Sequence, residues 1–316
     1  MHCRAISSIV FAIALFHCAA LADSEQRRCT LEPGPLATVV AVVDGETLRL
    51  DDGGEVRLVG ALAPRATDAG ATPGNWPAES AAVKFLTDLT LGKRVRLAYG
   101  GRREDRYHRK LAHVFLAEGG REDWVQGAML EAGMARSYGL PDSFACAHEL
   151  AAHEREARIN RRGLWSNYIY SAKRTDRPAL LMRMRYRYAR VEGVVRSVAA
   201  TRASIFVNFG EDWRTDFTAR ALKPVTTAHV GFTETLRALQ GRRVAVTGWI
   251  ERNNGPMIDL SDPSQITAIG DDEGAPKSEA PSEIAPSSAG DKGRAPQPPN
   301  ENRPAPSETE PGGVEL

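Results

Sequence analysis

The stretch 39–65, VVAVVDGETLRLDDGGEVRLVGALAPR, leaves this chain few ways to fold. Val39, Val40, Val42 and Val43 make a β-branched run that stops at Asp44-Gly45, a turn dipeptide. Polar and apolar residues alternate over 46–50 and again over 55–59, with Asp52-Gly53-Gly54 between the two runs. Alternation at period two, broken by two tight turns, predicts three short antiparallel strands joined by hairpins.

Further along, Pro73-Gly74 and Trp76-Pro77 mark a loop. A helix is expected over 78–91, where Ala82, Phe85, Leu86 and Leu89 share one face and Gly92 ends the pattern. Strands over 94–99 and 110–116 and helices over 121–136 and 144–160 complete the order β-β-β-α-β-β-α-α. That order predicts an α+β protein whose residues 37–166 form a five-stranded OB-type barrel with three helices, after an arm over 23–36. A connector over 167–182 leads to a second set of strands over 183–188, 191–198, 204–209, 213–218, 243–250, 256–260 and 265–269. With a helix over 231–239, this set predicts a smaller OB-like barrel over 183–269. Residues 270–316 hold nine of the 19 prolines and few large apolar side chains. Such a composition cannot offset its ordering entropy, so a disordered tail is expected.

The formal charge is +1 over 316 residues, but it is unevenly spread. From Gly270 onward ten acidic and four basic residues give a net −6, leaving +7 on residues 1–269. A basic folded part suits a polyanionic partner. At the start, His2 and Arg4 precede a short apolar run, and Ala20-Leu21-Ala22 supplies a small-residue cleavage pattern. This predicts a signal peptide over 1–22 and an exported protein, periplasmic or secreted, because the run is too short to span a bilayer. Cleavage there removes Cys3 and Cys18 and leaves Cys29 and Cys146, an even pair expected to form one disulfide in an oxidising compartment.

Four blocks carry a more specific signal: DGETL (44–48), VRLVG (56–60), DRYHRKLA (105–112) and GLW (163–165). In this order and spacing they resemble the thermonuclease, or staphylococcal-nuclease-like, family. The resemblance implies an OB-type domain that cleaves nucleic acid with a calcium ion held by carboxylates, a Glu that activates water and two arginines on the phosphate. The arginines fall on Arg57 and Arg109, the Tyr beside the phosphate on Tyr107, and a nucleotide-flanking Tyr one place from Tyr138. The segment 206–218 resembles a C-terminal module of exported members of the family.

The chain departs from the family pattern where the chemistry is done. Leu62 stands at a metal-ligand Asp position and Arg65 at the position of the base. Of the calcium set, Asp44 remains and Glu46, one methylene longer, stands at the second Asp position, so the two could hold the ion only weakly, since calcium takes six to eight oxygens, several of them anionic. Losing a general base costs a factor of about 10²–10⁴ in rate. The expectation is therefore a protein that binds single-stranded DNA, RNA or another polyanion through Arg57, Arg65 and Arg109, with hydrolysis weak or absent. Trp213 and Phe209 are candidates for a base-stacking platform, and Arg183, Arg185 and Arg187 for a basic strand face. Two other readings stay open. One is an active metal-dependent phosphodiesterase with Asp68, Glu79 or His108 as substitute base. The other is a disulfide-pinned structural envelope protein whose barrels bind protein; for Arg57 and Arg109 themselves, the alternative to phosphate contact is a surface pairing with Glu55 or Asp105.

Overall fold

In a computed structural model, residues 29–68, 76–118, 121–139 and 142–270 are described. The signal-peptide and tail readings lie outside them. The first part of the chain builds β1 (Glu32–Asp44), β2 (Thr47–Leu50), β3 (Glu55–Leu58), β4 (Ala61–Leu62), α1 (Pro77–Thr90), β5 (Arg94–Tyr99), β6 (Lys110–Glu118), β7 (Arg121–Trp124), α2 (Val125–Glu131), β8 (Arg136–Ser137) and α3 (Ala147–Ile159). The main sheet runs β3-β2-β1-β5-β6-β7, and β3 also pairs in parallel with β6 through Val56↔Lys110 and Arg57↔Leu111. β1 is long because it serves two partners. Its first half pairs with β5 and its second half, after irregularities in register, with β2.

The predicted turns form for local reasons. Asp44 accepts a hydrogen bond from the Glu46 amide at 2.7 Å, and Asp52 accepts one from the Gly54 amide at 2.8 Å. Such Asx turns are why Asp precedes Gly at tight hairpins. Val39, Leu48, Leu50, Val56 and Leu58 then point into one core with Leu86, Leu97, Val114 and Met129. Gly60 sits at φ 85° under Leu150 of α3, where any Cβ would collide.

Three expectations need correction here. The helix expected over 121–136 is split, since Arg121–Trp124 folds back on β6 as a hairpin strand and α2 begins only at Val125. The connector over 167–182 contains packed structure, β9 (Lys173–Arg174) and the start of α4 (Pro178–Arg183). Its Tyr170 is buried and accepts a hydrogen bond from the Trp76 indole N–H at 2.9 Å. The alternating Arg183, Arg185 and Arg187 do not share a strand. Pro178 at the first helical turn starts α4, Arg183 ends it, and the strand begins only at Tyr188.

The second part contains β10 (Tyr188–Val194), β11 (Ser197–Ala200), β12 (Ser204–Asn208), β13 (Thr218–Leu222), α5 (Lys223–Ala228), α6 (Phe232–Ala238), β14 (Arg243–Trp249), β15 (Glu251–Asn253), β16 (Gly255–Leu260) and β17 (Ile266–Ala268). They form sheets β17-β14-β10-β9 and β11-β12-β13-β16-β15 around a core that includes Val191, Val207, Phe217, Leu236, Val246 and Ile258. The expected strand over 213–218 is instead a loop that reaches strand only at Thr218. There Asp216 accepts from the Asp212 amide and Asp212 from the Arg214 amide. Among the described residues no helix is long and apolar enough to cross a membrane.

Cys29 and Cys146 form the expected disulfide, tying the start of the described chain to the N-terminus of α3. Its loop of 117 residues predicts that reduction, or Cys146→Ser, lowers unfolding free energy by about 5 kcal/mol. Urea denaturation with and without reductant measures this. His113 is buried against Trp124, and neither ring nitrogen has a partner among the described residues. Burial pushes its pKa down to about 4 from 6.5. Between those values the unfolded chain takes up a proton that the folded chain refuses, so stability falls as pH drops through this window, by on the order of 3 kcal/mol. A His113→Leu variant should lose that part of the pH dependence in urea midpoints measured from pH 7 to pH 4.

Candidate nucleic-acid interface

Glu46 follows the Asp44-Gly45 turn, and the turn points its carboxylate inward, where the residue is 1% exposed. A buried carboxylate must be compensated. Here Arg57 of β3 donates from Nη2 to Oε2 at 3.0 Å, and Arg65 donates from Nη2 to Oε1 at 2.9 Å. The Ala63 amide adds a third bond to Oε1 at 3.1 Å. Burial pushes the Glu46 pKa up, and the two guanidinium charges pull against that rise. Arg57 and Arg65 keep Nε and Nη1 without a hydrogen-bond partner among the described residues. The side chain of Arg65 is 45% exposed and that of Arg57 22%.

These contacts argue against the metal role expected for Asp44 and Glu46. Both Glu46 oxygens are taken by cations, Asp44 is engaged in its turn, and Leu62 offers no oxygen. The donor set is too poor for calcium, which needs several anionic oxygens at once. Among the described residues no group of three or more His, Cys, Asp or Glu side chains is placed to hold a metal ion.

Arg109 lies in a separate ion pair. Its Nε reaches Asp105 Oδ2 at 2.8 Å, and the turn amides of Tyr107 and Arg109 also bond to Asp105. The pairing expected between Arg109 and Asp105 therefore forms, whereas Glu55 pairs with Arg49 and not with Arg57. The register Val56↔Lys110 sets Arg109 at the end of β6 alongside the β3 strand that bears Arg57. Tyr107 is 62% exposed, with the Arg106 and Arg109 guanidinium groups 4.7 and 5.4 Å from its ring centre.

The three candidate substitute bases are engaged elsewhere. Asp68 accepts from the Arg65 amide, the Tyr170 hydroxyl and Arg136 at 3.0, 2.8 and 3.3 Å. Glu79 accepts from the Ala66 amide at 3.0 Å, and His108 is an exposed partner of Glu104. Tyr138 packs edge-on against Tyr188 and Trp249, with ring centres 5.3 and 6.3 Å away, joining the two parts of the chain. Arg136, which nothing in its sequence surroundings marks, is almost buried at the same junction. It donates to Asp68 and to the Tyr188 carbonyl.

Replacing Glu46 by Leu should lower stability by about 1–2 kcal/mol, because it leaves the buried Ala63 amide without its acceptor and removes the shared partner of two partly exposed guanidinium groups. Thermal or urea unfolding reads the effect, and a change below about 1 kcal/mol would contradict it.

Residues 55–167 match the family model described as staphylococcal nuclease homologue. The thermonuclease of Staphylococcus hyicus is 27% identical over 132 residues, which cover 41% of this chain and 75% of that protein. The match takes in Arg57, Arg65 and Arg109. Over residues 55–167, which include the arginine pair, this chain is similar to the thermonuclease-like family.

Proposed function

We propose that this chain is an exported, nucleic-acid-binding relative of the thermonucleases, built of two OB-type barrels, that grips phosphodiester without a metal and hydrolyses it weakly or not at all. The observation that carries the proposal is the Arg65–Glu46 ion pair. A guanidinium occupies the place where the family pattern puts the water-activating Glu, and it engages the carboxylate that would face a cation.

The pair also explains binding. Two guanidinium groups that share one carboxylate are held in a fixed relation, and each keeps donors free for a phosphate oxygen. A planar cation with several donors suits phosphate, and fixing it beforehand lowers the entropy lost on binding. Arg109 and the exposed Tyr107 extend the surface along the end of β6. The carboxylates around the arginines hold ion pairs or turn amides, so none is poised to take a proton from water. The disulfide suits the oxidising compartment that the signal-like N-terminus implies.

Fluorescence anisotropy with labelled single-stranded 12-mers of DNA and RNA tests this. Affinity should be equal in calcium and in chelator and should fall steeply with salt. Arg57→Ala or Arg65→Ala should weaken it roughly 10-fold. Gel analysis of the same mixtures should show intact oligonucleotide. Cleavage that stops on chelation would overturn the proposal.

A further inference from the structure

We infer that the second part of the chain carries a separate nucleobase-stacking pocket centred on Trp213. It rests on nucleic acid as the ligand class but not on the Glu46 site. A cavity of about 390 Å³ opens on the β11-β12-β13-β16-β15 sheet, lined among others by Phe206, Asn208, Trp213, Asn253, Asn254 and Met257. Phe209, the expected partner of Trp213, is not among them. It is buried in the core against Phe217, and Phe206, on the outer face of β12, takes its place.

The lining has the composition a base requires. Trp213 is 51% exposed, on a loop braced by the bonds at Asp212 and Asp216. The carboxamides of Asn253 and Asn254 have no hydrogen-bond partner among the described residues, and none of the lining residues is charged. Aromatic and thioether surface beside free amides suits a flat, neutral, hydrogen-bonding ring. Asn254 holds φ 62° at the β15–β16 turn, a conformation asparagine tolerates better than most residues.

Charge beside Trp213 selects among ligands with such a ring. Arg202, Arg214 and Arg252 are exposed, and each adjoins a lining residue in the chain. The Arg214 guanidinium stands 4.6 Å from the Trp213 ring centre, and Arg202 and Arg252 have no ion-pair partner among the described residues. Of the acids on the neighbouring loop, Glu211 pairs with Arg196 and Asp212 lies 3.9 Å from Arg214. A ring-binding hollow with the Arg214 guanidinium beside its tryptophan matches a base with its phosphates, as single-stranded nucleic acid supplies.

The test uses the full chain and two probes of equal length, 12-mer oligothymidylate and an abasic 12-mer. Oligothymidylate should quench tryptophan fluorescence and bind by anisotropy roughly 10-fold more weakly to Trp213→Ala, with Trp213→Phe recovering most of the loss. The abasic strand should bind all three proteins alike. Arg57→Ala should weaken binding while leaving the Trp213-dependent quench at saturation. Equal affinity of Trp213→Ala and the parent protein for oligothymidylate would overturn the pocket alone, if Arg57→Ala still weakens binding. Quenching by a neutral oligosaccharide or a proline-rich peptide, and not by oligothymidylate, would assign the pocket to that ligand and overturn it as well.

Discussion

A single buried carboxylate, that of Glu46, sets the character of the first part of this protein. At 1% exposure it cannot remain ionised without compensation, and the chain supplies two guanidinium groups where the family pattern leads one to expect a metal ion and its ligands. The turn at Asp44-Gly45 aims the carboxylate, β3 brings Arg57 to it, and the segment after β4 brings Arg65. Protein cations have filled a place that resembles a cation site, and the proposed phosphate grip without hydrolysis rests on that exchange.

The second part of the chain contributes to that arrangement. Arg65 belongs to a loop held by Asp68, whose carboxylate is gripped by Tyr170 and Arg136. Arg187 bonds to the carbonyl of Thr67 in the same loop. Arg136 in turn binds the Tyr188 carbonyl, and the Tyr188 hydroxyl returns a bond to the Ser137 carbonyl. Tyr138, Tyr188 and Trp249 close this junction with edge-on ring contacts worth about 0.5–1.5 kcal/mol each beyond simple burial. The residues that steady the Arg65 loop therefore come from both parts of the chain.

Much of this was legible in the sequence wherever local chemistry decides the outcome. Asp-Gly turns, alternating strands and the cysteine pair each carry a local or covalent signal, and β2, β3, β5, β6 and the disulfide follow from them. Leu62 and Arg65 stand out only by comparison with the family motif. Reading failed where tertiary context rules. The apolar spacing of residues 121–136 fits a helix, but pairing with β6 claims the first four. Alternation at 183–188 imitates a strand, although Pro178 had already started a helix. No local rule foretells that Arg65 would pair with Glu46, 19 positions away, that Arg136 would be buried between the two parts, or that Phe206 and not Phe209 would face outward.

Calcium titration of the purified chain by isothermal calorimetry tests the central claim most directly, because it asks whether the carboxylate already compensated by two arginines can still take a cation. The account predicts no stoichiometric binding at millimolar calcium. Saturable binding of one calcium ion per chain, abolished by Glu46→Gln, would contradict it.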